Sequence, residues 1–186
     1  MTIANNLIRI SSARHELYRT LIAKNICQPS TTTIRVWNDS IKLPDDDVLK
    51  LAAMQPEPFG HTSEKLIVNR LNLLPRLTDN HDARTQDDRR VEIKCARYQI
   101  MHWEQKINTT RELNYCWTRV NSLPDSGFEL LLLALLTHRG FDIRVLDKQQ
   151  VLELAKQIYL IRKSGNPLKM TIWRNEIIDL AKTLHK

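Results

Sequence analysis

The chain has 186 residues, 42% of them hydrophobic, which is enough to bury one sizeable core and fits a single domain. Its 28 Lys and Arg exceed 21 Asp and Glu by a formal +7, which favours a polyanionic partner without naming one. With only four Gly and seven Pro and no repeat, it is not a linker-dominated or disordered chain, and Cys27, Cys95 and Cys116 are too widely spaced for a disulfide framework or a paired zinc motif.

Between Ile3 and Ile26, Leu7, Ile8, Leu17, Leu21, Ile22 and Ile26 recur at near-helical spacing and predict one or two amphipathic helices, ended by Pro29 and the polar Ser30 to Thr33. A short strand is expected at Ile34 to Trp37. Pro44 followed by Asp45, Asp46 and Asp47 marks the start of a helix reaching Met54, and the helix dipole explains these acids better than a metal does. Pro56, Pro58 and Gly60 predict a break, after which Thr62 or Ser63 caps a helix from Glu64 to Leu74 with Leu66, Ile67, Leu71 and Leu74 along its apolar stripe. Pro75 ends it. The polar stretch Thr78 to Arg89 then leads into a strand, Arg90 to Ala96.

Glu129 to Thr137, the turn His138-Arg139-Gly140 and Phe141 to Leu146 read as a hairpin of two mostly buried strands. Asp147 can cap the helix that follows, Lys148 to Arg162, and a short strand from Met170 to Trp173 precedes a closing helix, Asn175 to Leu184. The succession points to an α/β (α+β) fold with a mixed central sheet flanked by helices. One domain is expected over 1–186, with a helical part, 1–58, packed on a core, 59–186. The longest apolar run, Leu130 to Leu136, is too short to span a bilayer, and Met1 to Ile10 lacks the layout of a signal peptide. A cytoplasmic protein without a membrane partner is therefore expected.

The chemistry concentrates in Arg90-Val91-Glu92-Ile93-Lys94-Cys95-Ala96. Strand alternation puts Val91, Ile93 and Cys95 on one face and Glu92 and Lys94 on the other. Charges on an otherwise apolar strand need partners or a ligand, because an unpaired buried charge is costly. Asp82 lies upstream across a turn at Thr85 to Arg89, where a hairpin returns it beside Glu92; Asp79 is the alternative acid. Two carboxylates at a sheet edge suit Mg²⁺, which keeps several waters and accepts a phosphate oxygen, and Lys94 can orient or deprotonate an attacking water. Together these are the parts needed to hydrolyse a phosphodiester. The same two charges could instead form a salt bridge with each other on an edge strand, which would contribute little. Asp87 and Asp88 fit turn chemistry better than catalysis.

The pattern His81-Asp82-Ala83-Arg84 followed by Arg90-Val91-Glu92-Ile93-Lys94 resembles the D…ExK core of the PD-(D/E)xK, restriction-endonuclease-like nucleases, closely over roughly Gly60 to Arg97. His81 stands where that pattern often has Pro. The resemblance implies Asp82 and Glu92 as metal ligands, joined by the Ile93 carbonyl, Lys94 as the catalytic lysine, and Glu64 as an additional acid. It also implies Mg²⁺, with Mn²⁺ as a substitute, double-stranded DNA as substrate, and a homodimer matched to a palindromic site. A type II restriction endonuclease is the expected identity. A homing or repair-type nuclease of the same fold and a non-catalytic DNA-binding protein are the alternatives. Arg97, His102, Lys106, Arg111 and Arg119 are the expected DNA-contacting residues. Trp103, Tyr115 and Trp117 fit core packing better than base stacking. His61, His81 and His102 lack zinc-site spacing.

Overall fold

The computed structural model describes residues 3–23, 39–76, 81–105, 108–114, 116–121, 127–162 and 169–173. The described elements run α1 (Ile3–Ala23), β1 (Asp39–Lys42), α2 (Asp45–Ala53), α3 (Pro56–Arg70), β2 (Leu74–Pro75), β3 (Ala83–Arg84) and β4 (Arg90–Arg97). They continue with β5 (Gln99–Gln105), β6 (Asn108–Asn114), β7 (Cys116–Asn121), β8 (Leu130–Thr137), β9 (Gly140–Asp147), α4 (Lys148–Arg162) and β10 (Lys169–Trp173). Six strands form one mixed sheet in the order β1-β9-β8-β4-β3-β2. Among the described strands of this sheet, only β4 and β8 pair in parallel. The expected mixed α+β architecture is therefore what the chain adopts, and no described helix is long and apolar enough to cross a membrane.

β8 explains the sheet's centre. Leu130 to Leu136 offers water no polar side chain on either face, so both faces have to be covered. Leu131 to Leu136 are each exposed by 3% or less, and β4 and β9 flank the strand in the plane. The β8–β9 turn closes on Gly140 at φ 120°, where a Cβ would stand 2.1 Å from the Ile41 carbonyl oxygen of β1; only glycine lets the edge strand approach so closely. At the far end of β9, the Asp147 Oδ1 accepts from the Gln150 N–H (2.8 Å) while the Asp147 N–H donates to Gln150 Oε1 (3.0 Å). This reciprocal cap starts α4 where the sequence places it.

α3 departs from expectation. It starts at Pro56 and runs through Pro58 and Gly60 rather than beginning at Glu64. The first N–H groups of a helix have no intrahelical acceptor, so two prolines in the first turn cost no hydrogen bond. Ser63 is consequently a buried residue inside the helix and not its cap. The helix closes four residues earlier than expected. Asn72 takes φ 52°, the Leu73 N–H donates to the Val68 carbonyl (2.9 Å) and the Asn72 N–H to that of Asn69 (3.4 Å), a Schellman motif with Asn in the glycine position. The subdivision at residue 58 therefore falls inside α3, and β1 from the first part is an edge strand of the central sheet.

The N-terminal segment forms one helix, α1, rather than two. It is tied to the sheet by Tyr18, whose hydroxyl donates to the Leu136 carbonyl (2.5 Å) and accepts the Tyr98 N–H (3.0 Å). The ribbons β5–β6 and β7–β10 carry the chain beyond β4. Their first three strands were not foreseen, because residues 99 to 121 mix polar and apolar side chains without a clean period. The expected strand at Ile34 to Trp37 and helix at Asn175 to Leu184 lie outside the described residues.

Candidate active site

β4 and β8 are in register, so Glu92 lies beside Leu131 and Lys94 beside Leu133 on one face, with Ile93 beside Leu132 on the other. Alternation is as expected: Val91 and Ile93 are 2% and 4% exposed, while the Glu92 and Lys94 side chains keep 16% and 24% of their surface. The Lys94 Nζ stands 2.5 Å from Glu92 Oε1. Burial pushes the Glu92 carboxyl above its ordinary range, Lys94 pulls it back down, and the charge of Asp82 raises it again.

Asp82 arrives by a tight hairpin. The Thr85 N–H donates to the Arg89 carbonyl (2.9 Å) and the Asp88 N–H to that of Thr85 (3.0 Å), with Asp88 at φ 65°, a conformation Asp tolerates in turns. Asp88 also pairs with Arg84, and Asp87 with Arg89 at 2.8 Å, so both acids serve the turn. β3 pairs with β4 only at Ala83–Val91 and Arg84–Arg90. At that point the Asp82 N–H donates to the Val91 carbonyl (2.9 Å), and Asp82 Oδ2 takes the next edge donor, the Ile93 N–H, at 2.7 Å. A residue's N–H and C=O share one edge of a strand, so the Ile93 carbonyl is on the Asp82 side.

Glu64 reaches this edge from α3. Burial raises its carboxyl first, the charge of Asp82 second, and His61, Arg76 and Lys94 oppose both. The thiol of Cys95 is driven up by burial, with Glu64 and Asp82 adding to the effect and Lys94 and the Ser63 hydroxyl opposing it, so it stays a neutral, unreactive packing group. Glu64 thus lies within electrostatic reach of Asp82, Lys94 and Cys95. Among the described residues no three His, Cys, Asp or Glu side chains gather into a metal-ligand set.

No protein-family model and no curated protein matches this sequence.

The structure brings together Asp82, Glu92, Lys94 and Glu64, with Ile93 supplying backbone at the same edge. His81 adds to them: it is 4% exposed and lies within electrostatic reach of Glu92. Its position next to Asp82 was the available signal. Arg76, exposed and following β2, was missed because nothing in the sequence marks it as a neighbour of Glu64.

Arg97 needs correction. It is three residues beyond Lys94, an odd offset that puts it on the opposite face, and its Nη1 donates to the carbonyls of Leu51 (3.2 Å), Ala52 (3.1 Å) and Met54 (2.7 Å). That guanidinium caps α2 and is not presented to a nucleic acid. His102 and Arg111 are cross-strand partners in the β5–β6 ribbon, and Arg119 is in β7. Lys106, Asp79 and Tyr115 lie outside the described residues. Trp117 is a core residue, fully buried, with its Nε1–H donating to the Ala134 carbonyl (3.0 Å). Cys95 and Cys116 are unbridged.

Proposed function

We propose that this chain is a Mg²⁺-dependent endonuclease of the PD-(D/E)xK class that hydrolyses phosphodiester bonds in double-stranded DNA, with a type II restriction endonuclease as the specific identity. The observation that carries the reading is the Asp82 carboxylate on the edge of β4, 2.7 Å from the Ile93 N–H and beside the half-buried Glu92–Lys94 pair. Asp82 at the outer edge of β4 and the Glu92–Lys94 pair on the same strand support a D…ExK reading. Mg²⁺ needs only one or two carboxylates alongside water and a substrate phosphate, so Asp82, Glu92 and the Ile93 carbonyl fit it, as they fit Mn²⁺. When bound, the ion supplies Lewis acidity and a more acidic water.

The protein's own residues supply the rest. Lys94 would release Glu92 to the ion and turn its ammonium to the attacking water and the developing phosphate charge. Glu64 would add negative charge near Asp82. The formal +7 supports a polyanionic substrate, and a homodimer acting on a palindrome is the simplest route to a double-strand cut. A cytoplasmic setting accords with this role.

One observation favours a second reading. The Glu92–Lys94 contact at 2.5 Å is also what a structural ion pair in a non-catalytic DNA-binding protein would make. Incubation with plasmid and phage DNA, with Mg²⁺ or a chelator, separates the two. Metal-dependent cutting that disappears in Lys94→Ala supports the nuclease, and discrete bands support restriction over repair. DNA binding without cutting on any substrate leaves the second reading.

A further inference from the structure

We propose that Arg97 is a positioning residue for this site, clamping the end of α2 so that α3 holds Glu64 at the correct depth against the Glu92–Lys94 strand. The inference rests on the nuclease reading. The last four carbonyls of a helix have no intrahelical donor, and a cation there also meets the negative end of the dipole. Arg97 satisfies the Leu51, Ala52 and Met54 carbonyls, and Arg14 of α1 adds a bond to Met54 (3.3 Å). Burial lowers the guanidinium to about 10, which still leaves it charged at neutral pH.

The clamp acts on α3 in two ways. Met54 and Gln55 alone separate α2 from α3, so fixing one end fixes the other. The Arg97 guanidinium also lies 4.5 Å over the Phe59 ring, which is buried in the second turn of α3. Glu64 follows Phe59 by five residues, about 7.5 Å along the same helix axis. On the other side, the Tyr18 hydroxyl holds the Tyr98 N–H, so the end of β4 is secured from both α1 and α2. A bare helix cap could come from anywhere in the fold. This one comes from the strand carrying Glu92 and Lys94, so the distance between that strand and Glu64 depends on it.

The test uses the full chain with Arg97→Met, Arg97→Lys, Glu64→Gln and both double variants. Plasmid cleavage is read as kcat and KM, and amide exchange is followed at Phe59. Displacing a group by about 1 Å can cost on the order of 100-fold, so Arg97→Met is expected to lower kcat by about 10- to 100-fold with the KM for DNA nearly unchanged. Arg97→Lys should recover part of the loss. Because Arg97 acts through Glu64, the double variant should be little worse than the poorer single one. Multiplicative losses, or a raised KM with unchanged kcat, would overturn the proposal. If Arg97→Met does not fold, Arg97→Lys carries the same cycle. If the wild type neither binds Mg²⁺ nor cuts, the nuclease reading fails, and exchange then decides the clamp: faster exchange at Phe59 with β8 unchanged supports it, and unchanged exchange at Phe59 overturns it.

Discussion

β4 and β8 run side by side in register, yet one presents Glu92 and Lys94 where the other presents Leu131 and Leu133. The difference lies in their in-plane neighbours. β8 is flanked along its length by β4 and β9, and its Leu131 and Leu133 are fully buried, so a charge at either position would be cut off from water. β4 loses its outer partner after Val91, and Asp82 takes up the next edge donor. About 4.8 Å, one strand spacing, thus separates a strand built for stability from one able to carry chemistry. The shortness of β3 creates that opening.

Leu133→Ala should destabilise the fold by about 2–5 kcal/mol through lost transfer energy and a residual cavity, read as a shifted denaturant midpoint. Lys94→Ala should cost less, about 1–2 kcal/mol of stability for leaving the half-buried Glu92 unpaired, while lowering metal-dependent cleavage by about 10²–10³-fold. Equal destabilisation by the two would show that β4 is as much a core strand as β8.

Asp82 sharpens the point at the edge itself. Asp82→Ala strands the Ile93 N–H and should destabilise by about 1–3 kcal/mol, whereas Asp82→Asn keeps an acceptor and should retain most of that stability while losing activity. Thermal unfolding and cleavage, measured on both variants, separate the two roles. If Asn retains activity, Asp82 is not a metal ligand.

The smallest expected effect comes from the far side of β8. Asp142 of β9, in register with Leu135, has its carboxyl raised to about 6 by burial, with Arg139 opposing. The folded state therefore binds its proton more tightly than the unfolded chain, whose ordinary value is 3.8. Its favourable contribution is complete below about pH 4 and is lost as pH rises through about 6. Asp142→Asn should stabilise by on the order of 1 kcal/mol at pH 8, after allowance for solvent screening, and by nothing near pH 4. Unfolding curves at the two pH values check this, and an equal effect at both would exclude the buried charge as the cause.

Much of this arrangement was legible in local pattern. The β8–β9–α4 unit follows from an unbroken leucine run, a glycine turn and a capping Asp147–Gln150 pair, all signals within a few residues of one another. Glu92 and Lys94 on one face follow from alternation alone, and that alternation also puts Arg97 on the opposite face. Reading Arg97 as a continuation of the site overlooked its odd offset. The start of α3 was misread because Pro58 and Gly60 look like breakers until their place in the first two turns is known. The β5–β6 ribbon was missed because its strands lack a period that tells one face from the other.

Local pattern sets which residue types share a face and where the strongest turns fall, because side-chain direction repeats every two residues in a strand and nearly every four in a helix. What those faces meet is set by the packing of distant segments. That Asp82 holds the Ile93 N–H, that Glu64 comes within reach of its charge, and that Arg97 joins the end of α2 depend on which strand pairs where and on where β3 stops. These contacts join residues 11 to 46 positions apart, a range over which no local period carries information.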